Sequence, residues 1–583
     1  MRQLLTAALV AALAACQSAP RPARRGSIDP QPRSAVESRD ARSTYVQALR
    51  DEMNALGRIQ SVLLWYTATQ GERPIQGLTY LGHDRLFGKT ALEAVDAARR
   101  EPGLAPAEAL ALRFFRRTLS GEIVRLATAH FADQFRDAEA TATVLLPFRD
   151  QPVAYNDLQN LIAQEADPER RAQAFAAMNT VRVGQLNPIL ERKEAAAQVA
   201  ARETGFSDYV ALSEDQRDVH LDALLASGVA YVTATDALFR TTLDRVAREE
   251  LGIGREQLRV TDLARIWKAP RLAAWFDKAL ELKALQAFLQ GIGLDLKTVS
   301  GFEVRIDDAL TPKKRPRAFV DPVDPPDDVR LSVKPTGGLD DYQTLFHEAG
   351  HAVHFANATA RPVELVLRGY LAPTEAFGEF FRHAFSDPRW LFRYRTFLRA
   401  QGKPAPGNAE LAAIERLLAL REMEYLRRYA FAKIAYELRL HGRPLEEIAP
   451  ALLLLDDPAG AKADLRELYR QLFSRADAFK LSDAESQAYR TDVDETFYAA
   501  DYSRAFLLGG MMHDAVRRRF GEDWYANAKV GAFLREQLFA PGTSLSSEDV
   551  AERLGFSRTL DFAAAAARAQ RLCAEADALE QAK

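Results

Sequence analysis

Residues 344–354 read TLFHEAGHAVH and carry three of the chain's nine histidines, with one glutamate among them. The stretch has a helical period, which puts His347 and His351 one turn apart on a single face. Two imidazoles so placed can hold one zinc ion. Glu348 is displaced by about 100° around the helix. From there its carboxylate can reach a water activated by the metal without being a ligand itself. This is the HExxH arrangement, with the glutamate as general base for hydrolysis. The bland alternative is a core helix that happens to bear histidines.

Catalytic zinc usually keeps three protein ligands and one open position. A third ligand is offered downstream by LAPTEAFGEFFRHAFSDPRW, residues 371–390. Thr374 is a candidate N-cap, and Asp387-Pro388 ends the segment because proline disfavours helix at the residue before it. Glu375 and Glu379 fall on one face of this Phe- and Ala-rich helix. Two unpaired carboxylates in an apolar wall are costly. Zinc bound by Glu375, with Glu379 accepting the second N–H of a ligating histidine, removes that cost. The alternative is two exposed helix glutamates.

DDYQTLFHEAGHAVH followed by EAFGEFFRHAFSDPRWL resembles the thimet oligopeptidase and oligoendopeptidase F family of zinc peptidases. The upstream RPRAFVDPVDPPDDVRLSVKPTGGLDDYQTLF is similar to that family's approach to its zinc helix. The spacing from His347 to Glu375 also resembles the angiotensin-converting enzyme family, which shares the fold. The resemblance covers residues 315–391 and returns near 496–513. It implies His347, His351 and Glu375 as zinc ligands and Glu348 as base. It makes Glu379 the partner of a ligating histidine and His354 a structural, hydrogen-bonded one. In TFYAADYSRAFLLGGMMH, an aromatic segment running into a helix, it implies Tyr502 as the tyrosine that stabilises the oxyanion and Tyr498 as a substrate contact. One departure stands out. The family has a histidine ten to twelve residues before that tyrosine, and here Asp492 stands at or next to the place. Asp492 is expected to point away from the oxyanion or to pair with a cation such as Arg490.

The elements that must position these residues are mostly helical. Residues 221–252 and 271–293 each read as a long amphipathic helix, and the Ala-rich C-terminus as a helical tail. Strand-like pieces are few: FEVRID, RAFVDP and DVRLSV, all just before the HExxH helix. In zinc peptidases of this type an edge strand there binds substrate backbone by strand addition. The basic cluster Lys313, Lys314, Arg315, Arg317 reads as a solvated loop. The fold implied is mainly α: a two-lobed helical ellipsoid with a deep channel and a small β-sheet beside the zinc helix. An N-terminal helical lobe would span 41–300 and a catalytic lobe 301–583.

The chain opens MRQLLTAALVAALAACQSAP, a basic start and an apolar run too short to span a bilayer, ending in small residues as a secretory signal does. LAAC resembles the bacterial lipobox, which implies a lipoprotein signal peptide over 1–15 and lipid on Cys16. The alternative is an ordinary signal peptide with an incidental cysteine. Residues 16–40, rich in Pro, Arg, Ser and Ala, read as a flexible tether. Two cysteines in 583 residues do not make a disulfide scaffold. A formal charge of −3 gives no hint of nucleic-acid binding. Two functions follow: a zinc oligopeptidase acting on short unfolded peptides in the cell envelope, lipid-anchored and facing the periplasm from the outer membrane, or a zinc-containing peptide-binding or assembly lipoprotein.

Overall fold

The computed structural model describes residues 38–582 apart from 73, 312, 316 and 317. The expected signal segment over 1–15, most of the expected tether with Cys16, and Arg317 lie outside the described residues. The chain is mainly α-helical with two small sheets. Helix α1 (Arg39–Gln70) begins where the Ser38 side chain accepts from the Ala41 N–H. Helix α2 (Pro106–Thr141) starts on a proline, which lacks an N–H that would be unsatisfied there anyway. Together they enclose an apolar cluster that includes Leu49, Leu56, Leu112 and Phe115. Helix α3 (Leu221–Leu251) follows the predicted span and packs into the main core, which runs through residues from Val210 to Cys573.

Residues 271–293 depart from the single helix that their periodicity predicts. Short 3₁₀ turns occupy Ala273–Trp275 and Lys278–Leu280, and the α-helix covers only Glu281–Gly291. Tertiary partners take the backbone groups that a helix would have used. The Trp275 carbonyl accepts from the Tyr394 hydroxyl at 2.7 Å and the Phe276 carbonyl from the Gly338 N–H at 2.9 Å.

The C-terminal half holds a three-stranded sheet with the order β1–β3–β2: β1 (Arg305–Asp307) lies parallel to β3 (Asp328–Ser332), which pairs antiparallel with β2 (Phe319–Asp324). Strand β2 is therefore an edge, and its Pro322 is tolerated there because the missing N–H faces away from the ladder. Lys314 is not solvated as its cluster suggests. It is buried, and its Nζ donates to the Asp307 carbonyl at 2.6 Å and to the Asp307 carboxylate at 3.0 Å.

The sheet feeds helix α4 (Leu339–Ala356), which carries the HExxH residues. Asp340 and Asp341 stand in its first turn, where the helix dipole favours negative charge. Its apolar face is built on aromatic contacts: the Phe346 ring lies 4.7 Å from Phe385 and 5.2 Å from Phe288. Burying one such ring contributes about 1.5–3 kcal/mol. Helix α5 (Leu371–Arg382) crosses α4. It starts three residues before the predicted cap. Tyr370 is the N-cap and Thr374 is helical, because Pro373 is compatible with a first turn. The stop at Asp387-Pro388 holds, and Asp387 caps the next helix by accepting from the Arg389 N–H. Helix α6 (Asn408–Leu426) continues through a wide π-type turn at Arg427–Lys433. Helix α7 (Tyr498–Phe520) packs on α5, and the Ala-rich tail forms α8 (Phe562–Gln581), packed on α6.

Candidate metal centre

Helices α4 and α5 can cross closely enough to share a metal because glycines face one another. A Cβ on Gly350 would meet the Phe377 carbonyl oxygen at 2.4 Å. One on Gly378 would meet the His347 ring at 2.7 Å. No larger residue fits either position without moving the helices apart. The crossing brings His347 and His351 against Glu375.

His347 Nε2 lies 3.1 Å from His351 Nε2, and Glu375 Oε2 lies 3.3 Å from the first and 3.6 Å from the second. Ligand atoms held tetrahedrally by zinc at its usual bond lengths are about 3.3 Å apart, so the triangle fits that ion. Neutral imidazoles facing through these nitrogens would oppose two lone pairs at 3.1 Å unless a cation or a proton stood between them. The carboxylates add to this. Burial alone would push the His347 ring down, but Glu375 and Glu379 outweigh it and raise it to about 10. Burial likewise opposes ionisation of Glu375, and the two imidazoles overcome it, holding the carboxyl well below its usual range. The site is built to hold positive charge.

Glu379 is fully buried, with Oε1 3.4 Å from His347 Nδ1 and accepting from Arg382 Nη1 at 3.2 Å. The two glutamates are thus not exposed helix residues. Glu348 lies beside the cluster, and its Oε2 accepts from the Val320 backbone N–H of β2 at 3.0 Å. His354 is apart: fully buried, with Nε2 3.2 Å from the Gly542 carbonyl, and burial pushes it down to about 3. It is a neutral structural histidine.

Tyr498 opens α7, and its hydroxyl donates to Glu375 Oε1 at 2.6 Å. Burial and the Glu375 charge push this phenol well above its ordinary range, so it remains a donor. Tyr502 lies one turn on. Its ring stands edge-on to Tyr498 at 4.7 Å and 5.3 Å from Tyr429. Asp492 pairs with cations, but not with Arg490. Its carboxylate accepts from Arg428, from Lys433 Nζ at 3.3 Å and from the Tyr469 hydroxyl at 2.8 Å. Burial opposes its ionisation, and Arg428 and Lys433 overcome that, holding it far below the usual carboxylate range. Arg490 instead reaches Glu194 at 2.9 Å. The π-type turn carries Arg428 and Lys433 to Asp492, which no local pattern around residue 492 encodes.

Sequence reasoning missed Arg382, the two glycines and the Val320 N–H. Arg382 was detectable as an i,i+3 partner of Glu379. Gly350 and Gly378 lie inside the two motifs, but their use depends on a helix crossing.

No protein-family model matches the chain, and no curated protein matches it in sequence. Solved structures do match. A crystal structure of a candidate oligoendopeptidase F from Bacillus anthracis superposes over 94% of this chain and 94% of its own, with a TM-score of 0.62 at 12% identity. PZ peptidase A with inhibitor 2 superposes over 92% of this chain and 96% of its own, with a TM-score of 0.61 at 12% identity. The protein therefore shares the fold of these two structures over more than nine-tenths of its length, far beyond the segments where sequence resemblance is specific.

Proposed function

We propose that the protein is a zinc-dependent metallopeptidase that hydrolyses short unfolded peptides in the bacterial cell envelope. The observation that carries this reading is the convergence of His347 Nε2, His351 Nε2 and Glu375 Oε2, with Glu348 next to them on the same helix as the histidines and bonded to the edge strand. Zinc held by those three residues would polarise the scissile carbonyl and acidify a water. Glu348 would act as the base that takes a proton from the attacking water and passes it to the leaving amine. The outward carbonyls of β2 align the peptide backbone, its Val320 N–H being held by Glu348. Tyr502 donates to the carbonyl oxygen as negative charge develops. Glu379, charged and tied to Arg382, orients the His347 ring. Asp492, engaged by its cations, contributes no oxyanion donor.

A fluorogenic peptide assay with and without a chelator tests the reading. Cleavage should be lost with chelator and restored by zinc. Zinc bound in stoichiometric amount with no cleavage of any peptide would favour the peptide-binding or assembly alternative. A channel between the lobes would admit peptides and exclude folded proteins, so efficient digestion of a stable folded protein would contradict it. For the envelope location, labelled fatty acid should enter the protein through Cys16 and be lost in Cys16→Ser. A soluble, unlabelled protein in its native host would overturn that part.

A further inference from the structure

Tyr498 reaches the candidate metal centre through Glu375. Its hydroxyl occupies Glu375 Oε1 at 2.6 Å, while Oε2 of the same carboxylate faces the two histidines. A carboxylate with one oxygen tied to a strong donor presents the other in a fixed direction. The Tyr498 ring is itself clamped, with the Arg217 guanidinium over its face at 4.7 Å and Tyr502 against its edge. Arg217 is anchored in turn: it donates to Asp501 Oδ2 at 2.7 Å, to the Thr496 carbonyl at 2.8 Å and to the Glu495 carbonyl at 3.3 Å.

These anchors hold an unusual turn. Thr496 and Phe497, neither a glycine, both adopt the left-handed region at φ 49° and 54°. Each such residue costs on the order of 1–3 kcal/mol and persists only where surroundings over-determine it. The Thr496 N–H donates to the Tyr209 hydroxyl at 2.9 Å, and the Phe497 ring is fully buried. The turn delivers Tyr498, the first residue of α7, against α5.

We propose that Tyr498 is a positioning residue of the metal centre, which holds Glu375 as a one-oxygen ligand while Arg217 locks its ring. This rests on the zinc reading above. A plain substrate contact would leave metal affinity untouched.

The test is zinc affinity of the full chain by chelator competition. Tyr498→Phe should weaken zinc binding by about 10–100-fold, and excess zinc should restore most of its activity. Tyr502→Phe should bind zinc as the wild type does. Wild type that binds no zinc would sink the metal reading itself. Wild type that binds zinc, with Tyr498→Phe binding equally tightly, would overturn the positioning role alone, as would a raised KM at unchanged zinc affinity. Should Tyr498→Phe not fold, Arg217→Lys loses the planar stack over the ring. It too should bind zinc more weakly, and unchanged affinity would overturn the proposal.

Discussion

The Val320 backbone N–H donates to Glu348 Oε2 at 3.0 Å, which ties the edge strand directly to the glutamate of the HExxH helix. The strand that would align a peptide and the group that would deprotonate water are registered to each other by one bond. The bond is made to Oε2, so under the proposed mechanism Oε1 is the oxygen that would take the proton of a water.

Glu348→Gln preserves the acceptor for Val320 and removes the base. It should keep the fold and the metal while lowering kcat by at least about 10²-fold. Metal content and single-substrate kinetics on the same preparation check this. Turnover near the wild-type rate would remove Glu348 from the mechanism.

Tyr502 and Asp492 should separate cleanly. Tyr502→Phe should lower kcat by about 10²–10³-fold with little change in KM, because its hydrogen bond matters mainly in the transition state. Asp492→Asn leaves Arg428 and Lys433 without their shared anion. It should cost about 1–3 kcal/mol of stability with kcat nearly unchanged. Urea unfolding and kcat/KM on one peptide distinguish them, and the reverse pattern would exchange their roles.

Gly378→Ala places a methyl group where the His347 ring sits. It should weaken metal binding by an order of magnitude or more, as loss of a ligand-orienting contact does (about 10–100-fold). Gly184→Ala, where an added Cβ meets nothing within 4 Å, is the control for metal affinity. Equal affinities in the two variants would refute the close-crossing account.

Glu281 gives a pH dependence. It is fully buried, and burial, with the charge of the Asp341 carboxylate and a hydrogen bond to it, raises it from 4.5 to about 9. The folded state thus keeps a proton that the unfolded state releases above about 4.5. The stability from this group is full below that pH and is lost as pH rises toward 9. Glu281→Gln should stabilise the protein by ~2 kcal/mol or more at pH 7 and flatten the decline above it. Thermal unfolding of both proteins from pH 5 to 9 is the measurement, and parallel curves would contradict the assignment.

The local half of this site is legible in the chain's own patterning. Ligands one helical turn apart, a base next to the first of them and glutamates spaced by four follow from the helical period, which local patterning sets. The paired strands and the stop at Asp387-Pro388 are local in the same way. Tertiary structure decided whatever needed two distant segments. Glycines at 350 and 378 matter only once α4 crosses α5. The helix expected over 271–293 gives way at its start because Tyr394 and Gly338 take its carbonyls. Asp492 chose Arg428 and Lys433 over its neighbour Arg490 because a wide turn sixty residues upstream presents them. The hold of Tyr498 on Glu375 depends on an arginine nearly three hundred residues before it. Spacing along a chain fixes which side chains share a face, whereas partners across the fold are fixed by where the packed helices cross.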